Sequence, residues 1–581
     1  MGHPTLKEAR PMQTNQPASV PDPRRWLAVA AIMLAAALDM IDTTIVNVAL
    51  PSIHQKLHAD AASLQWTVAG YTLAFALFLI TAGRLGDLLG RKKLLIIGIA
   101  GFTAASLACG LAQSPGVLVG SRVVQGLAAA LLMTQALSIF QVAFAPHERA
   151  GVFALFGALT GLGAVLGPLV GGVLMNANLF NLDWRAIFLV NVPVGTLALL
   201  GALLWVRESR STAMVRLDVV GVVLITAALL AVMYPLIKGQ ELGWPRWTYI
   251  SMICSIPLLL IFIGYERWKD RRDGSSLVQL SLFKERRFVA GLLVLLTFFG
   301  AMAGFFFPFT FYLQAGMGYT PLHAGLTVVP FSLAAMVTSG MSTQLVGKFG
   351  RSVLSVGMLL MAGGIAILIF EINRHHTSVS TWELTPGLAV AGLGLGLVIA
   401  PVVDVILAGV PQEHAGSGSG LLNTADQLGA AAAVAAIGAL FFALLSSQVG
   451  AGVDEQAGRL RTELSAVGVS AASVDRIVSE LKVCAKDASK AADPTVVPNS
   501  CKQIGADPTI PAAAQPVVQR EVGIAASNAN KATSARAVAK VLWYDVGIVL
   551  VGFLATFLLP ARPRPHFEPK TEAGREPAAV S

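Results

Sequence analysis

Apolar residues run along this chain in blocks near 20 long, the length a helix needs to cross a hydrocarbon core about 30 Å thick. Polar turns separate the blocks, and fourteen of them are predicted as spanning helices. The first six lie near 26–50, 66–84, 94–112, 116–140, 152–175 and 187–206. Two more follow near 218–237 and 248–265, and a second six near 289–312, 323–346, 352–370, 386–410, 417–446 and 541–560. The grouping is six, two, six.

Composition agrees with a chain that lives in lipid. Of 581 residues, 55% are hydrophobic and 13% charged, where a soluble domain carries roughly a quarter charged; the mean hydropathy is +0.68. Short cytoplasmic loops retain Lys and Arg while translocated ones are poor in them. With the amino terminus inside, 25 of the 42 basic residues fall on inside segments and five on short outside loops. Both termini are therefore expected in the cytoplasm of a multi-pass protein of the cell (cytoplasmic or inner) membrane. The net charge of +9 is spread over these loops, which leaves no soluble basic face for nucleic acid. The apolar run after Arg25 is too long for a cleavable signal and reads as an uncleaved anchor.

The expected organisation is a disordered tail at 1–24, a six-helix bundle at 25–206, two inserted helices with their loops at 207–287, a second six-helix bundle at 288–560 and a disordered tail at 561–581. Residues 447–540, before the last span, carry apolar positions at helical spacing among charges and predict a helical cap outside. Partner docking, gating and an inert insertion all stand open for it. Cys484 and Cys501 share this segment, as a disulfide if that side is oxidising or as two thiols. "RLGDLLGR" at 84–91 and "QLVGKFGR" at 344–351 match at Leu85/Leu345, Gly90/Gly350 and Arg91/Arg351, a weak echo of the kind shown by transporters built from repeated halves.

The charged residues inside the spans carry the chemistry. Asp39 and Asp42 are three apart, within about 60° on one helix face. An ionised carboxylate at the bilayer centre costs at least about 2.5–3.5 kcal/mol, so each must face water, pair with a base or hold a proton. A proton carrier needs such a poised acid; bonding to Thr43, Thr44 or Asn47 to pin the helix is the plainer alternative. Arg122 is the only basic residue within a span, and points to a carboxylate or to Gln125, either as an exchanging partner of Asp42 or as a static pair. Gly163, Gly167 and Gly171, with Pro168, form a small-residue face on a kinked fifth span. Gly83, Asp87, Gly90 and Arg91 build the turn after the second span, where Asp87 can satisfy a neighbouring helix's amino-terminal N–H groups.

In the second half, Asp404 and Asp426 with Asn423 are candidate substrate contacts or second proton sites, and Phe305, Phe306 and Phe309 candidate walls of a cavity for lipophilic molecules. Asp545, near the outer end of the last span, reads as interfacial. His54 and His58 supply two ligands only, so no metal site is expected.

At these residues the chain resembles the fourteen-span drug:proton antiporter branch of the major facilitator superfamily, whose members include multidrug and quaternary-ammonium exporters. Asp42, Thr44, Asn47, Ala49, Leu50 and Pro51 resemble its first-helix motif D-x-T-x-x-N-x-A-L-P. Gly83, Leu85, Asp87, Gly90 and Arg91 resemble its loop motif, and Arg122, Gln125 and Gly126 its fourth-helix motif. Gly163, Gly167, Pro168, Gly171 and Gly172 resemble the fifth-helix signature associated with antiport, and "WRAIFLVNVPVG" at 184–195 the start of the sixth helix. The resemblance implies an all-α polytopic fold of two six-helix bundles plus two inserted helices. It also implies proton-driven export of lipophilic, often cationic, compounds by alternating access. The departures are Leu88 where a basic residue is usual, the extra acid Asp39, Asp426 in place of a basic or amide residue, and the long segment before the last span.

The expectation is thus a proton-coupled antiporter, not an enzyme, driven by the proton gradient without a cofactor. It works in the bilayer on small lipophilic or cationic substrates, with a monomer as the working unit. Export of a lipid or an endogenous secondary metabolite is the alternative, and a membrane receptor or interaction protein is the alternative from another class.

Overall fold

The computed structural model describes residues 25–559, apart from 145, 210–217, 240–241, 274–275, 279, 400, 403–405, 407–414, 491–498, 503, 505–509 and 511–513. The two expected tails and Asp404 lie outside the described residues.

The first six helices are α1 (Arg25–Leu57), α2 (Ala61–Leu89), α3 (Arg91–Gly110), α4 (Pro115–Ala143), α5 (Pro146–Ala177) and α6 (Asn191–Trp205). A pair follows, α7 (Val219–Lys238) and α8 (Arg246–Asp273). Next come α9 (Arg286–Phe311), α10 (Pro321–Phe349), α11 (Ser352–His375), α12 (Thr381–Ile399), α13 (Ala415–Ala466), α14 (Ala471–Lys490) and α15 (Gln515–Thr556). Thirteen of the described helices are long and apolar enough to cross a membrane. The fourteenth expected span is α5, a helix of 32 residues whose stretch Gly167–Ala177 is apolar.

The packing repeats between the halves. In the first, α4 packs on α2 and α3, α1 on α5 and α6, and α3 on α6; in the second, α12 packs on α10 and α11, α9 on α13 and α15, and α11 on α15. The seams between halves are the matching pairs α5 with α10 and α2 with α13. The sequence echo falls at equivalent places: Gly90 and Gly350 end α2 and α10, both at positive φ, 110° and 60°, which a residue with a Cβ adopts only at a cost. Through α7, the inserted pair packs on α2 and α13 beside one seam.

Helix α13 has 52 residues, roughly 78 Å at 1.5 Å per residue, and α15 has 42. Both continue from the bilayer into the 447–540 segment, where with α14 they enclose a separate core of Val453, Leu460, Leu464, Ile477, Leu481 and Val518. The Cys484 and Cys501 sulfurs lie 2.06 Å apart, at bonding distance. We call this end of the molecule the cap end and the opposite one the basic end.

At the cap end the halves meet closely. Gln314 Nε2 donates to the Val48 carbonyl at 2.8 Å. A Cβ at Gly172 would lie 2.9 Å from backbone atoms of Pro321 and Leu322, one at Gly325 2.6 Å from the Pro168 carbonyl oxygen, and one at Gly438 3.0 Å from Gln65. Small residues at these crossings let the helix backbones touch and close the cap end.

Candidate functional site

The two aspartates of α1 point into the first bundle. Asp42 is 0% exposed and ion-pairs with Arg122 of α4. Its Oδ1 accepts from Gln125 Nε2 at 3.0 Å and from Asn191 Nδ2 of α6 at 2.9 Å. Arg122 also donates through Nε to the Thr67 carbonyl at 2.9 Å and through Nη1 to Gln125 Oε1 at 2.7 Å, and lies over the Tyr71 ring, 4.1 Å from its centroid. Gln125 further donates to Ser106 Oγ at 2.8 Å. Every member is buried, and charge and hydrogen bonds balance: one carboxylate, one guanidinium and the amides between them. Such a network is stable only while complete, because a buried partner left alone keeps its full desolvation penalty.

Asp39, one turn earlier, is buried and accepts the Tyr71 hydroxyl hydrogen bond. The neighbouring polar side chains of α1 bond to the helix itself: Thr43 to the Asp39 carbonyl at 2.9 Å, Thr44 to that of Ile41 at 3.1 Å, and Asn47 to that of Thr44 at 3.4 Å. None of these bonds reaches an acid's side chain, so pinning by Thr43, Thr44 or Asn47 does not account for either carboxylate.

The opposite side of α1 borders a narrow cleft between the halves, with a volume of about 50 Å³. Thr44, Asn47 and Pro168 line it from the first half, and Met302, Phe306 and Thr310 from the second. On the helical wheel Thr44 and Asn47 stand about 140–160° from Asp42. Helix α1 therefore turns an acid face to its own bundle and a cleft face to the partner bundle.

The fifth-span glycines hold α1 in that position. A Cβ at Gly167 would lie 1.8 Å from Thr44 Oγ1, and one at Gly171 2.7 Å from an Ile45 side-chain carbon. Gly163 belongs to the same helix, with its surroundings outside the described residues.

At the α2–α3 turn an acid not singled out in the sequence meets the α3 backbone. The α3 amino terminus is capped by Glu208, which follows α6 and accepts from Lys92 N at 3.1 Å and Lys93 N at 3.3 Å. Gly90 leaves room for it, since a Cβ there would lie 2.7 Å from Glu208 Oε1. Arg91 N donates to the Ser209 carbonyl at 3.0 Å. The Asp87 side chain lies outside the described residues, and Gly83 borders open space.

Of the aromatic candidates only Phe306 lines the cleft. Phe305 and Phe309 are buried and stack with centroids 4.9 Å apart; Phe305 and Phe306 also border a small apolar hollow within the second bundle, beside Phe331 and Met361. Asp426 is part-exposed on α13 and within electrostatic reach of Asp39; the Asn423 side chain lies outside the described residues. Asp545 departs from its interfacial reading: it is 0% exposed. His54 Nδ1 contacts the Ala59 carbonyl at 2.7 Å, and among the described residues no three metal-ligating side chains gather.

Asn191, Tyr71 and Glu208 carried no role in the sequence reading. Asn191 had a signal: it is a lone amide in an apolar run, which in lipid calls for a partner. Tyr71 and Glu208 had none.

Comparison with known proteins follows the same lines. The family model described as "Major Facilitator Superfamily" matches residues 32–434. The chain is 39% identical to a "Probable actinorhodin transporter" of Streptomyces coelicolor, over 94% of this chain and 93% of that protein. It is 34% identical to "Multidrug resistance protein Stp" of Mycobacterium tuberculosis, over 72% of this chain and 76% of that protein. Among solved structures, a bacterial homologue of the human lysosomal transporter Spinster shares the fold with a TM-score of 0.58 at 17% identity, covering 94% of this chain and 100% of that one.

Proposed function

The chain belongs to the Major Facilitator Superfamily, and from that premise we propose that this membrane transporter, which is not an enzyme, exports lipophilic antibiotic-like compounds in exchange for protons. The basic end faces the cytoplasm with both termini, and the cap end faces outward. The observation that carries the proposal is the closed Asp42–Arg122–Gln125–Asn191 network on one face of α1, with the cleft on the other.

Asp42 takes up a proton from the outer side when the network opens, which releases Arg122 from its carboxylate partner. Loss of the proton on the inner side restores the pair. Breaking or making a buried pair of this kind is a change of several kcal/mol, comparable with the driving force, since each pH unit supplies about 1.36 kcal/mol per proton and each 100 mV about 2.3 kcal/mol per charge. The sealed cap end is the gate that must open for release.

The cleft lining favours the lipophilic part of the expectation: Met302, Phe306, Leu313 and Val328 supply apolar surface, and Thr44, Asn47 and Thr310 hydrogen-bonding groups. A cationic group on the cargo is served by Asp426, outside that lining. Export of an endogenous secondary metabolite is the second reading. It is favoured by the match to the probable actinorhodin transporter, which at 94% of this chain takes in most of the 447–540 cap.

The test is transport by the full chain in proteoliposomes with actinorhodin as probe. Cargo-triggered proton movement that Asp42→Asn abolishes is the expected result. Cargo movement with no accompanying proton movement overturns the coupling.

A further inference from the structure

The network around Asp42 leaves Asp545, a buried acid of the second half, unused. Asp545 stands eleven residues before the end of α15, well inside the span. It is 0% exposed, and among the described residues neither carboxylate oxygen has a hydrogen-bond partner. Helices α9, α11 and α13 pack on α15. Their ionisable residues lie elsewhere: Arg286 and Arg287 at the basic end of α9, Glu371, Arg374 and His375 at the cap end of α11, and on α13 Asp426 three turns before Ile437 and Asp454, Glu455, Arg459, Arg461 and Glu463 four or more turns beyond it, while Tyr312 belongs to the turn that follows α9 and also packs on α15. On α15 itself, Lys540 and Tyr544 are exposed.

What covers it is a glycine. A Cβ at Gly304 of α9 would lie 2.6 Å from Asp545 Oδ1 and 3.2 Å from the Ile437 side chain. The missing methyl is the space the carboxyl occupies. An unpaired carboxylate in such surroundings cannot stay ionised, because nothing replaces its hydration; packed this way, Asp545 holds a proton. The lid is also placed to move. Two turns beyond Gly304, α9 runs into a π-helical turn, Tyr312–Gly316, a feature common at functional sites. From this turn Gln314 reaches the Val48 carbonyl of α1 across the sealed cap end.

We propose that Asp545 is a second proton-binding site, in the second bundle, closed by Gly304 and uncovered when opening of the cap end shifts α9. Asp42 and Asp545 then each carry one proton per cycle, one in each half. This rests on the proton-coupled reading above and fixes its stoichiometry at two. With two protons, a pH gradient of one unit sustains about a hundredfold concentration ratio of an uncharged cargo; with one, about tenfold.

Two measurements test this on the full chain in liposomes. Infrared titration reads the carbonyl stretch of protonated carboxylic acids without any cargo. The wild type should show such a band at neutral pH that Asp42→Asn keeps and Asp545→Asn loses, and Gly304→Ala, which crowds the carboxyl in an otherwise intact chain, should shift it. Asparagine has the shape of the neutral acid, so the packing survives. A band unchanged in both Asp545→Asn and Gly304→Ala overturns the site. Actinorhodin accumulation under a pH gradient at zero membrane potential then reads the stoichiometry. It should fall from about a hundredfold to about tenfold per pH unit in Asp545→Asn, and an unchanged ratio overturns the second proton. Absence of pH-driven uptake in the wild type defeats proton coupling itself, while the infrared band still decides whether Asp545 is a protonated site.

Discussion

Replacing Asp42 by asparagine removes the charge and keeps the shape. Arg122, 0% exposed, then stays buried without a counter-ion. Breaking a buried pair from one side costs about 3–5 kcal/mol. The bond to the Thr67 carbonyl and the Tyr71 ring 4.1 Å away remain and offset about 1–2 kcal/mol, leaving a loss of about 1–4 kcal/mol. The amide adds a mismatch, because Arg122, Gln125 and Asn191 all donate to residue 42, so its NH₂ group must face at least one donor. The double variant Asp42→Asn/Arg122→Gln contains no buried charge here and should recover at least half of the lost stability. Proton exchange should be abolished in both variants. Thermal unfolding in detergent and proton release in proteoliposomes read the two properties separately. A double variant no more stable than the single one, or proton exchange retained without Asp42, refutes the reasoning.

Three further outcomes follow from the geometry. Gly172→Ala places a methyl 2.9 Å from backbone of Pro321 and Leu322, which cannot rotate away; it should disfavour the sealed cap end by about 1–3 kcal/mol. A cysteine at Phe306 should then react faster with an impermeant thiol reagent added from the cap side, with Cys254 replaced. Glu208→Ala leaves the Lys92 and Lys93 N–H groups without their acceptor and should lower thermal stability by about 0.5–2 kcal/mol, as for a lost helix cap. Asp60, between α1 and α2, would be pushed up by burial, but the Ser63 side chain and N–H and the Lys238 ammonium hold it below the usual carboxylate range. Its tie to the inserted pair is therefore complete above the unfolded value of about 3.9 and is lost as pH falls through the lower folded value. Lys238→Met should lower stability by about 0.2–1 kcal/mol at neutral pH, and in unfolding scans the difference from wild type should vanish in acid.

The spans were legible because a hydrocarbon core of fixed thickness imposes a fixed length on each apolar block. The Asp42–Arg122 pairing was legible for a related reason: a lone guanidinium and a carboxylate in lipid have few other ways to be satisfied. Partners that could equally be satisfied in other ways stayed hidden. Tyr71 reads as one aromatic among many, and Glu208 as a loop charge, until the fold brings them to Asp39 and the α3 amino terminus. The lengths of α13 and α15 were legible only as far as the bilayer, since a helix leaving lipid loses its unbroken apolar run without ending. Asp545 was read as interfacial from its place in the sequence; its burial depends on Gly304 of another helix, which no local pattern of α15 reveals.

The two faces of α1 set a requirement on coupling. A cargo in the cleft meets Thr44 and Asn47 and has the helix backbone between itself and Asp42, so it cannot displace the Asp42 proton by contact. The signal must pass as a displacement of α1, and the contact that transmits it is the one with α5. At Gly167 and Gly171 no side chain separates the helices, and Thr44 and Ile45 rest on bare backbone. Movement of α5 against α10 at the seam is then carried directly to the acid face. Two substitutions should therefore behave differently. Asn47→Ala should weaken binding of a transported lipophilic probe, by up to about tenfold for one lost hydrogen bond, and leave the number of protons released per bound molecule unchanged. Gly167→Ala forces Thr44 away from α5, because a Cβ there would lie 1.8 Å from its hydroxyl oxygen; cargo should still bind while proton release per molecule falls. Binding by fluorescence and release by pH indicator on the same sample separate the two quantities. If Asn47→Ala and Gly167→Ala reduce both in proportion, cargo and proton compete at one place and the two-faced helix is not the transmitter.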